Sequence, residues 1–543
     1  MYIFTIHFQM MTKKKKLQKT ERQLEQATIH PDKTGGRKDS WVENAIYIVV
    51  IAILFIAVYG YIFDKKLDLN GDNAYYYVLG KALSQGEGYV NIASINNGPN
   101  NHYPPGYSFI LSIFMQFSDS FTFLKILNGI FLLISLYLAY YLFNKFSKSP
   151  KIAFLSTFFL LLNAHVLLYS TMIMSEISFI LFSFLCLAFI INIDFKANIF
   201  KNPFTYLTLV TLVIAYYIRS SGLALFGGLV LYLIIKKQWR AIAFFMTGFF
   251  ALALPWIIRG RNLGGNSYIK PLVMINPYRP ELGNADIADY FNRFFSNVSR
   301  YITREIPSSS LPFIKVNYLE PVAVSEWIVG FTILAIMAFG LFKLRKNGLI
   351  IFSYLLGTFG ILLLWPEVWT GVRFILPIVP LLIFFLVLGV DSIISNISSF
   401  FKLNVKISIL LLVIVGLAFS TSIKRLHIKS VNEYPAAWKN YFKVANWFKT
   451  EGQKDVVVIC RKPMLFHLHS DTYTSNFKYA QDTEEMINDL EKRKADYIVL
   501  ENLGYRQTYE YLLPAVNDHK EKFNVVLKIN NPDTYLLKFY SEN

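Results

Sequence analysis

Cysteine is almost missing from this chain. Two occur in 543 residues, Cys186 inside an apolar run and Cys460 in a short β-type run, which excludes a disulfide framework and a cysteine-rich metal site. Charge is scarce as well: 17% of residues are Asp, Glu, Lys or Arg, against about 25% in an ordinary soluble protein. A P-loop and a dinucleotide-binding glycine fingerprint are both absent, so nucleotide-driven chemistry has no motif to rest on. No clustered set of His, Asp and Glu commits to a metal, and no cofactor is expected. The apolar segment after the basic N-terminal tail is long and lacks a small-residue cleavage site, which argues against a cleavable signal.

What is abundant is apolar. Hydrophobic residues make up 54% of the chain and aromatic residues 17%. Windows of roughly 20 apolar residues, the length that crosses a hydrocarbon core, recur from end to end. Eleven spans are predicted, at 43–63, 121–143, 151–168, 172–192, 203–218, 221–236, 240–258, 326–343, 348–364, 370–390 and 406–423. The chain reads as an all-α polytopic membrane protein in contact with membrane lipids.

The formal net charge of +18 raises the question of nucleic acid, and its distribution answers it. Residues Val431–Asn543 hold fifteen Lys/Arg against sixteen Asp/Glu and are nearly neutral. The excess lies in the tail, at Lys13, Lys14, Lys15, Lys16, Lys19 and Arg22, and in alternate short loops, at Lys145, Lys148 and Lys151, Lys196 and Lys201, Lys236, Lys237 and Arg240, Lys343, Arg345 and Lys346, and Lys402 and Lys406. This is the positive-inside pattern, and no nucleic-acid partner is expected. It predicts a cytoplasmic N-terminus, an extracytoplasmic C-terminus and residence in the cell (inner) membrane.

Three parts follow. Residues 1–42 form a basic cytoplasmic tail predicted to be disordered, in which Met10 or Met11 would serve as a start as well as Met1. Residues 43–423 form the transmembrane part, with outside loops at 64–120 and 259–325. Residues 424–543 read as an extracytoplasmic α/β domain. There "DVVVIC" and "ADYIVLEN" are short strands, "TEEMINDLEKRKA" is a helix, and "NVVLKINNPDTYLLKF" is a hairpin around Asn-Pro-Asp. Residues 104–118 are apolar but too short to span, and fit an interfacial or re-entrant helix begun by Pro104 and Pro105.

Two acids stand out. Asp72 lies nine residues after the first apolar run ends at Phe63. The pattern Ala74, Tyr75, Val78, Leu79, Ala82, Leu83 after it predicts an amphipathic helix along the membrane surface, with Asp72 at or near its N-cap. An acid in that place serves either as a cap or as a general base beside a cavity. Glu176, with Ser175 and Ser178, sits at the outer end of a predicted span, where an ionisable group is either functional or held by interfacial water.

The stretch "DNAYYYVLGKALSQGEGY" and then "HYPPGY" resembles the first outside loop of the GT-C membrane glycosyltransferases. Within them it is similar to the branch of protein O-mannosyltransferases and lipid A aminoarabinose transferases. Further resemblances follow in order: "MSE" at Met174–Glu176, "IRSSG" at Ile218–Gly222, "PWIIRGRN" at Pro255–Asn262, "GVRFILPIVPLL" at Gly371–Leu382 and the C-terminal "KADYIVLEN". The resemblance implies a GT-C fold and transfer of a sugar from a polyprenyl-phosphate donor to a glycan, lipid or protein acceptor. It implies that Asp72 is the catalytic base, attack inverting the anomeric carbon without a covalent intermediate. It also implies that Glu176 is an acid facing the cavity. Many relatives carry an acidic pair where this chain has Asp72 and Asn73. A leaving lipid phosphate calls for a guanidinium, which makes Arg373 the phosphate-binding candidate, with Arg219, Arg259 and Arg261 behind it. His102, Tyr103 and Tyr75 are candidate substrate contacts. The resemblance also leaves room for a divalent ion near the catalytic acid.

Two other classes stay open. A transporter or flippase of lipid-linked sugars predicts charges near the midplane and broken helices. An O-antigen polymerase or ligase predicts an outside loop rich in Arg and His; loop 259–325 offers Arg279, Arg293, Arg300 and Arg304 but no histidine.

Overall fold

Each of the eleven predicted spans carries α-helix in the computed structural model, which describes residues 35–69, 71–264, 269–344, 348–400 and 407–541. Most of the predicted tail, residues 1–34, lies outside the described residues, as do Arg345, Lys346, Lys402 and Lys406. Residues 35–42, assigned to that tail by their polarity, instead begin the helix Gly35–Ile62. The chain divides into two units, residues 1–53 and 54–543. The first contributes the start of that helix, where Tyr47 donates to Glu43 one turn back (2.8 Å). The second holds the rest of that helix and every element that follows it.

Among the described residues, five helices are long and apolar enough to cross a membrane: Trp41–Ile62, Phe121–Ser147, Trp239–Asn262, Val324–Lys343 and Leu376–Ile397. The stretch predicted at 151–168 is not one straight span. It is a pair, Pro150–Leu161 and Ala164–Ser170, bent by 61°. Asn163 makes the break: its Oδ1 accepts from the N–H groups of His165 and Val166 (3.1 and 3.2 Å), capping a new helix. Its Nδ2 donates to the Ser309 carbonyl (2.7 Å), so the break is tied to a distant segment.

Helices Val324–Lys343 and Val379–Phe400 cross where neither has a side chain. A Cβ on Gly340 would lie 2.2 Å from the Phe385 carbonyl oxygen, and one on Gly389 would lie 2.1 Å from that of Ile336. Small residues at a crossing let two backbones touch, which is how helices associate where lipid removes the hydrophobic drive.

The first outside loop folds into two short helices, Asp72–Ser84 and Gly106–Met115, packed on each other. The second matches the non-spanning helix predicted for 104–118, with Pro105 at its N-cap. The first departs from prediction. The sequence pattern predicts an amphipathic helix along the membrane surface, yet Asn73, Ala74 and Tyr76 through Gly80 are all buried. Helix Gly106–Met115 covers it on one side, and helix Pro463–Ser470, from far along the chain, packs on it as well.

The C-terminal region carries a five-stranded sheet: β1 (Val457–Ile459), β2 (Tyr473–Ser475), β3 (Tyr497–Leu500), β4 (Phe523–Ile529) and β5 (Thr534–Phe539), in order β2-β1-β3-β5-β4. β1 pairs in parallel with β2 and β3, while β3-β5 and β5-β4 are antiparallel. The predicted hairpin is β4-β5, turning through Asn530–Asp533, and the predicted helix is Thr483–Lys492. Val457, Ile459, Met486, Leu490, Ile498 and Leu537 fill the core beneath the sheet. The region grips the first outside loop by backbone bonds: Thr474 N–H to the Ala93 carbonyl (2.7 Å) and Tyr434 hydroxyl to that of Leu67 (2.8 Å).

Overpacking a close crossing costs about 1–3 kcal/mol. Gly340→Ala and Gly389→Ala are each expected to lower the thermal unfolding midpoint of the detergent-purified protein. Gly360→Ala, where a Cβ meets nothing within 4 Å, is expected to leave it unchanged or raised.

Candidate active site

Five segments distant in sequence meet at a cavity of about 360 Å³. They are the start of helix Asp72–Ser84, the turn His102–Pro104, the link Arg219–Ser221, the stretch 271–278 and the segment 365–374. Gly71, at φ 97°, occupies the N-cap of that helix, a backbone setting that favours glycine. Asp72 is the first helical residue, next to the N-cap as expected, and its side chain makes no cap bond. The reason lies in Asn73, whose Oδ1 accepts from Gly71 N–H (3.1 Å) and whose Nδ2 donates to the Asp68 carbonyl (2.7 Å). Asn73, standing where many members of the resembled family have a second acid, closes the turn and leaves Asp72 to the cavity.

There the Asp72 carboxylate has two partners. Oδ1 accepts from the Tyr103 hydroxyl (2.9 Å), and Oδ2 accepts from Arg373 Nη1 (2.6 Å). Burial, with the Asp72 charge beside it, holds the Tyr103 phenol well above its ordinary pKa, so it remains a donor. Arg373 reaches a second carboxylate: its Nε donates to Glu176 Oε1 (2.6 Å). Arg219 Nη1 lies 2.6 Å from the same oxygen and also donates to Ser175 Oγ (3.1 Å). Glu176 is fully buried, and its Oε2 has no hydrogen-bond partner among the described residues. Two carboxylates and two guanidiniums thus form one connected cluster, and Tyr76 extends it by a 3.0 Å bond with Ser175.

Of the residues singled out from sequence, Asp72, His102, Tyr103, Arg219 and Arg373 line the cavity, and Glu176 lies directly behind it. His102 meets Tyr103 edge-on at 4.5 Å. Three others are placed elsewhere. Tyr75 packs against Tyr103 (5.5 Å between rings) without lining the cavity. Arg259 donates to the carbonyls of Asn100 and Tyr89 (2.6 and 3.2 Å) and lies over the rings of Tyr89 and Trp256. It holds the first outside loop. Arg261 is exposed and outside the cavity wall.

Sequence reading passed over Trp365, Trp369 and Phe374, which form an aromatic wall with ring centroids 5.0–5.3 Å apart. Two tryptophans four apart ahead of Gly371 and Arg373 were the available signal. It also passed over the buried bracket that holds them. Asn297 Nδ2 donates to the carbonyls of Leu363 and Trp365 (3.0 and 2.9 Å), and Arg300 Nη1 donates to that of Glu367 (2.6 Å). Arg300 Nε pairs with Glu305 Oε1 (2.8 Å), which also accepts from Gly371 N–H (3.3 Å). Burial raises the Glu305 pKa, with the Arg300 charge opposing. Arg293 and Arg304 likewise donate to carbonyls, at Leu272 and Glu320 (2.6 Å each), and Arg279 pairs with Glu281. Arg279, Arg293, Arg300 and Arg304 of loop 259–325 therefore engage this chain's own backbone and carboxylates, while Pro271, Pro277 and Tyr278 of the same loop line the cavity. Among the described residues, no three His, Cys, Asp or Glu side chains converge as a metal site would require.

This arrangement, a helical membrane bundle with a C-terminal sheet and a cavity built from the ends of several segments, is a known fold. The chain shares it with ArnT from Cupriavidus metallidurans. The structure of that protein bound to undecaprenyl phosphate matches with a TM-score of 0.55 at 12% identity, covering 93% of this chain and 98% of the other. Its apo structure matches with a TM-score of 0.54 at 11% identity, covering 92% and 98%. No protein-family model matches the sequence, and no curated protein matches it significantly.

Removing one member of a buried ion pair costs about 3–5 kcal/mol, because the other is left charged and dry. Arg300→Met is accordingly expected to destabilise the purified protein far more than Lys439→Met, whose partner Glu433 is exposed. Thermal unfolding of both variants checks this.

Proposed function

We propose that this protein is a glycosyltransferase that moves a sugar from a polyprenyl-phosphate donor to an acceptor hydroxyl at the non-cytoplasmic face of the cell membrane. The observation that carries the reading is the cluster itself: a carboxylate at the mouth of a cavity, joined to two guanidiniums, beside an aromatic wall. The fold supports it, since the structural neighbour was solved bound to undecaprenyl phosphate.

The chemistry follows from the groups present. Asp72 accepts the proton of the acceptor hydroxyl as its oxygen attacks the anomeric carbon. The bond from that carbon to the lipid phosphate breaks on the opposite face, and its electron pair leaves with the phosphate, so configuration inverts. Arg373 and Arg219 stabilise the growing phosphate charge in a site with little water, where such contacts are strong. Glu176 holds both guanidiniums in place. Trp365 and Trp369 offer flat faces on which a sugar ring can pack. The 424–543 region belongs to the same face, since its bonds to Leu67 and Ala93 fix the loop that carries Asp72.

A transporter gains little from the structure. Among the described residues the one bent pair breaks at Asn163, which is not part of the cavity wall.

The test is sugar transfer by membranes containing the protein, using several radiolabelled polyprenyl-phosphate sugars. Asp72→Asn is expected to lower turnover by about 10²–10⁴, the range of a general base. Arg373→Lys, which replaces a planar fork with a point charge, is expected to lose about 10²-fold or more. Full transfer by Asp72→Asn defeats the base assignment, and movement of label across the bilayer without a new glycosidic bond defeats the enzyme reading.

A further inference from the structure

The charges at the cavity sum to zero. Asp72 and Glu176 carry two negative charges, Arg219 and Arg373 two positive, and each carboxylate already holds a guanidinium at 2.6 Å. A donor phosphate adds a further negative charge to a cluster with no surplus cation among those four. Arg373 already gives its Nε to one carboxylate and an Nη1 donor to the other, so a phosphate that takes the Nη1–Nη2 fork competes with a carboxylate for it. The carboxylate that yields is the one less firmly held.

Burial decides which. Glu176 is 0% exposed and its Oε1 is shared by both arginines, so moving it would strand a buried charge. Asp72 is 27% exposed, is held to Arg373 through one oxygen, and keeps a second partner in the Tyr103 hydroxyl at 2.9 Å. Further support lies on its other side. Lys462 of the C-terminal region packs its Nζ against Gly71, 3.5 Å from where a Cβ would stand, within electrostatic reach of Asp72. Burial, with Arg461 beside it, pushes the Lys462 pKa down to about 8, and the charges of Asp72 and Asp68 oppose that.

We infer that Asp72 is a placeholder anion as well as a base: the donor phosphate takes its place on Arg373, and that exchange is what frees the carboxylate to accept the acceptor's proton. The inference rests on the glycosyltransferase reading and adds an order of events to it. Charge then balances through the reaction. As the acceptor proton moves onto Asp72, its charge falls from −1 to 0. As the carbon–oxygen bond to phosphate breaks, the lipid phosphate goes from −1 to −2. The negative charge that Asp72 gives up reappears on the leaving group, with Arg373 between the two. Without a donor phosphate on Arg373 the base remains ion-paired, and an acceptor alone finds no group ready to take its proton.

The test is the affinity of the purified protein for polyprenyl monophosphate, with neutral polyprenol as the control for the lipid tail. A plain base would leave phosphate affinity unchanged on substitution, and a phosphate-binding residue would weaken it. Displacement predicts the reverse: Asp72→Asn is expected to bind polyprenyl monophosphate about ten-fold more tightly than wild type while losing transfer. Asp68→Asn makes the same charge change in the same loop on a residue paired with Lys429 instead, and is expected to bind as wild type does. Unchanged or weaker binding by Asp72→Asn overturns the inference. So does equal tightening by both variants, which would mean general electrostatics rather than exchange. Either of those results, with transfer by wild type intact, leaves the glycosyltransferase reading standing. Failure of wild type to bind polyprenyl monophosphate, or to transfer any sugar, overturns both. Unfolding midpoints of the variants, expected within a few degrees of wild type, separate a binding effect from misfolding.

Discussion

One guanidinium joins what the chain keeps far apart. Arg373 stands 197 residues after Glu176 and 301 after Asp72, and it bonds to both. Each partner alone would be an expensive guest at the end of a membrane helix. Together they lower that expense: two charges about 4 Å apart attract by about 4 kcal/mol at an effective dielectric of 20, which offsets much of the desolvation each suffers. Arg219 adds the fourth charge and makes the cluster neutral. The placement of the first outside loop, the link at Arg219 and the entry to the helix Val379–Phe400 all converge on this cluster.

The segments around it are held mainly by arginines and amides bonded to carbonyls. A loop that follows no regular pattern leaves its carbonyls without partners, and a buried one must find donors elsewhere. Arg300 and Asn297 supply them to the 362–371 segment, Arg293 to 272–275, and Arg259 to the strand-like pair at Tyr89 and Asn100. A guanidinium carries five donors in a rigid fork, so it satisfies two or three carbonyls at once where a lysine would satisfy them singly. This is why the loop 259–325 is rich in arginine without presenting those arginines to the cavity. Its richness reflects a framework problem, and the same composition would have misled a reading that took arginine for substrate binding.

That distinction marks the limit of what sequence can tell. The helices were legible because apolar runs of spanning length have few other uses, and the hairpin was legible because two short β-type runs flank the turn residues Asn531, Pro532 and Asp533. Asp72, Glu176 and Arg373 were legible through ordered motifs, since a charge at the edge of an apolar run has to be explained. The Arg300–Glu305 pair was not, because each residue looks like ordinary loop polarity until its partner and the Gly371 N–H are seen. The strand β2, three residues long, is too short for any periodicity. The break at Asn163 was hidden because one asparagine among apolar residues does not tell whether its side chain faces solvent or caps a helix. Arg259 and Arg373 look alike in sequence, each at the edge of an apolar run, and only the groups they meet separate them.

The likeness to a fold at 12% identity has a physical basis in the same contrast. A lipid-facing position asks only for an apolar side chain, and Leu, Ile, Val and Phe satisfy it about equally. Packing between helices asks for small residues at a few crossings, such as Gly340 with Gly389, and leaves the rest free. Most of the chain can therefore drift while the bundle persists. The cavity is under a different constraint. Its charges must sum correctly, its carboxylates must each meet a guanidinium, and its loops must place those groups within about 3 Å. Loss of Glu176 alone would leave the Arg219 guanidinium without a carboxylate. In a chain of this composition the information that fixes chemistry is concentrated in fewer than a dozen polar side chains, and the apolar remainder serves to bring their segments to one place.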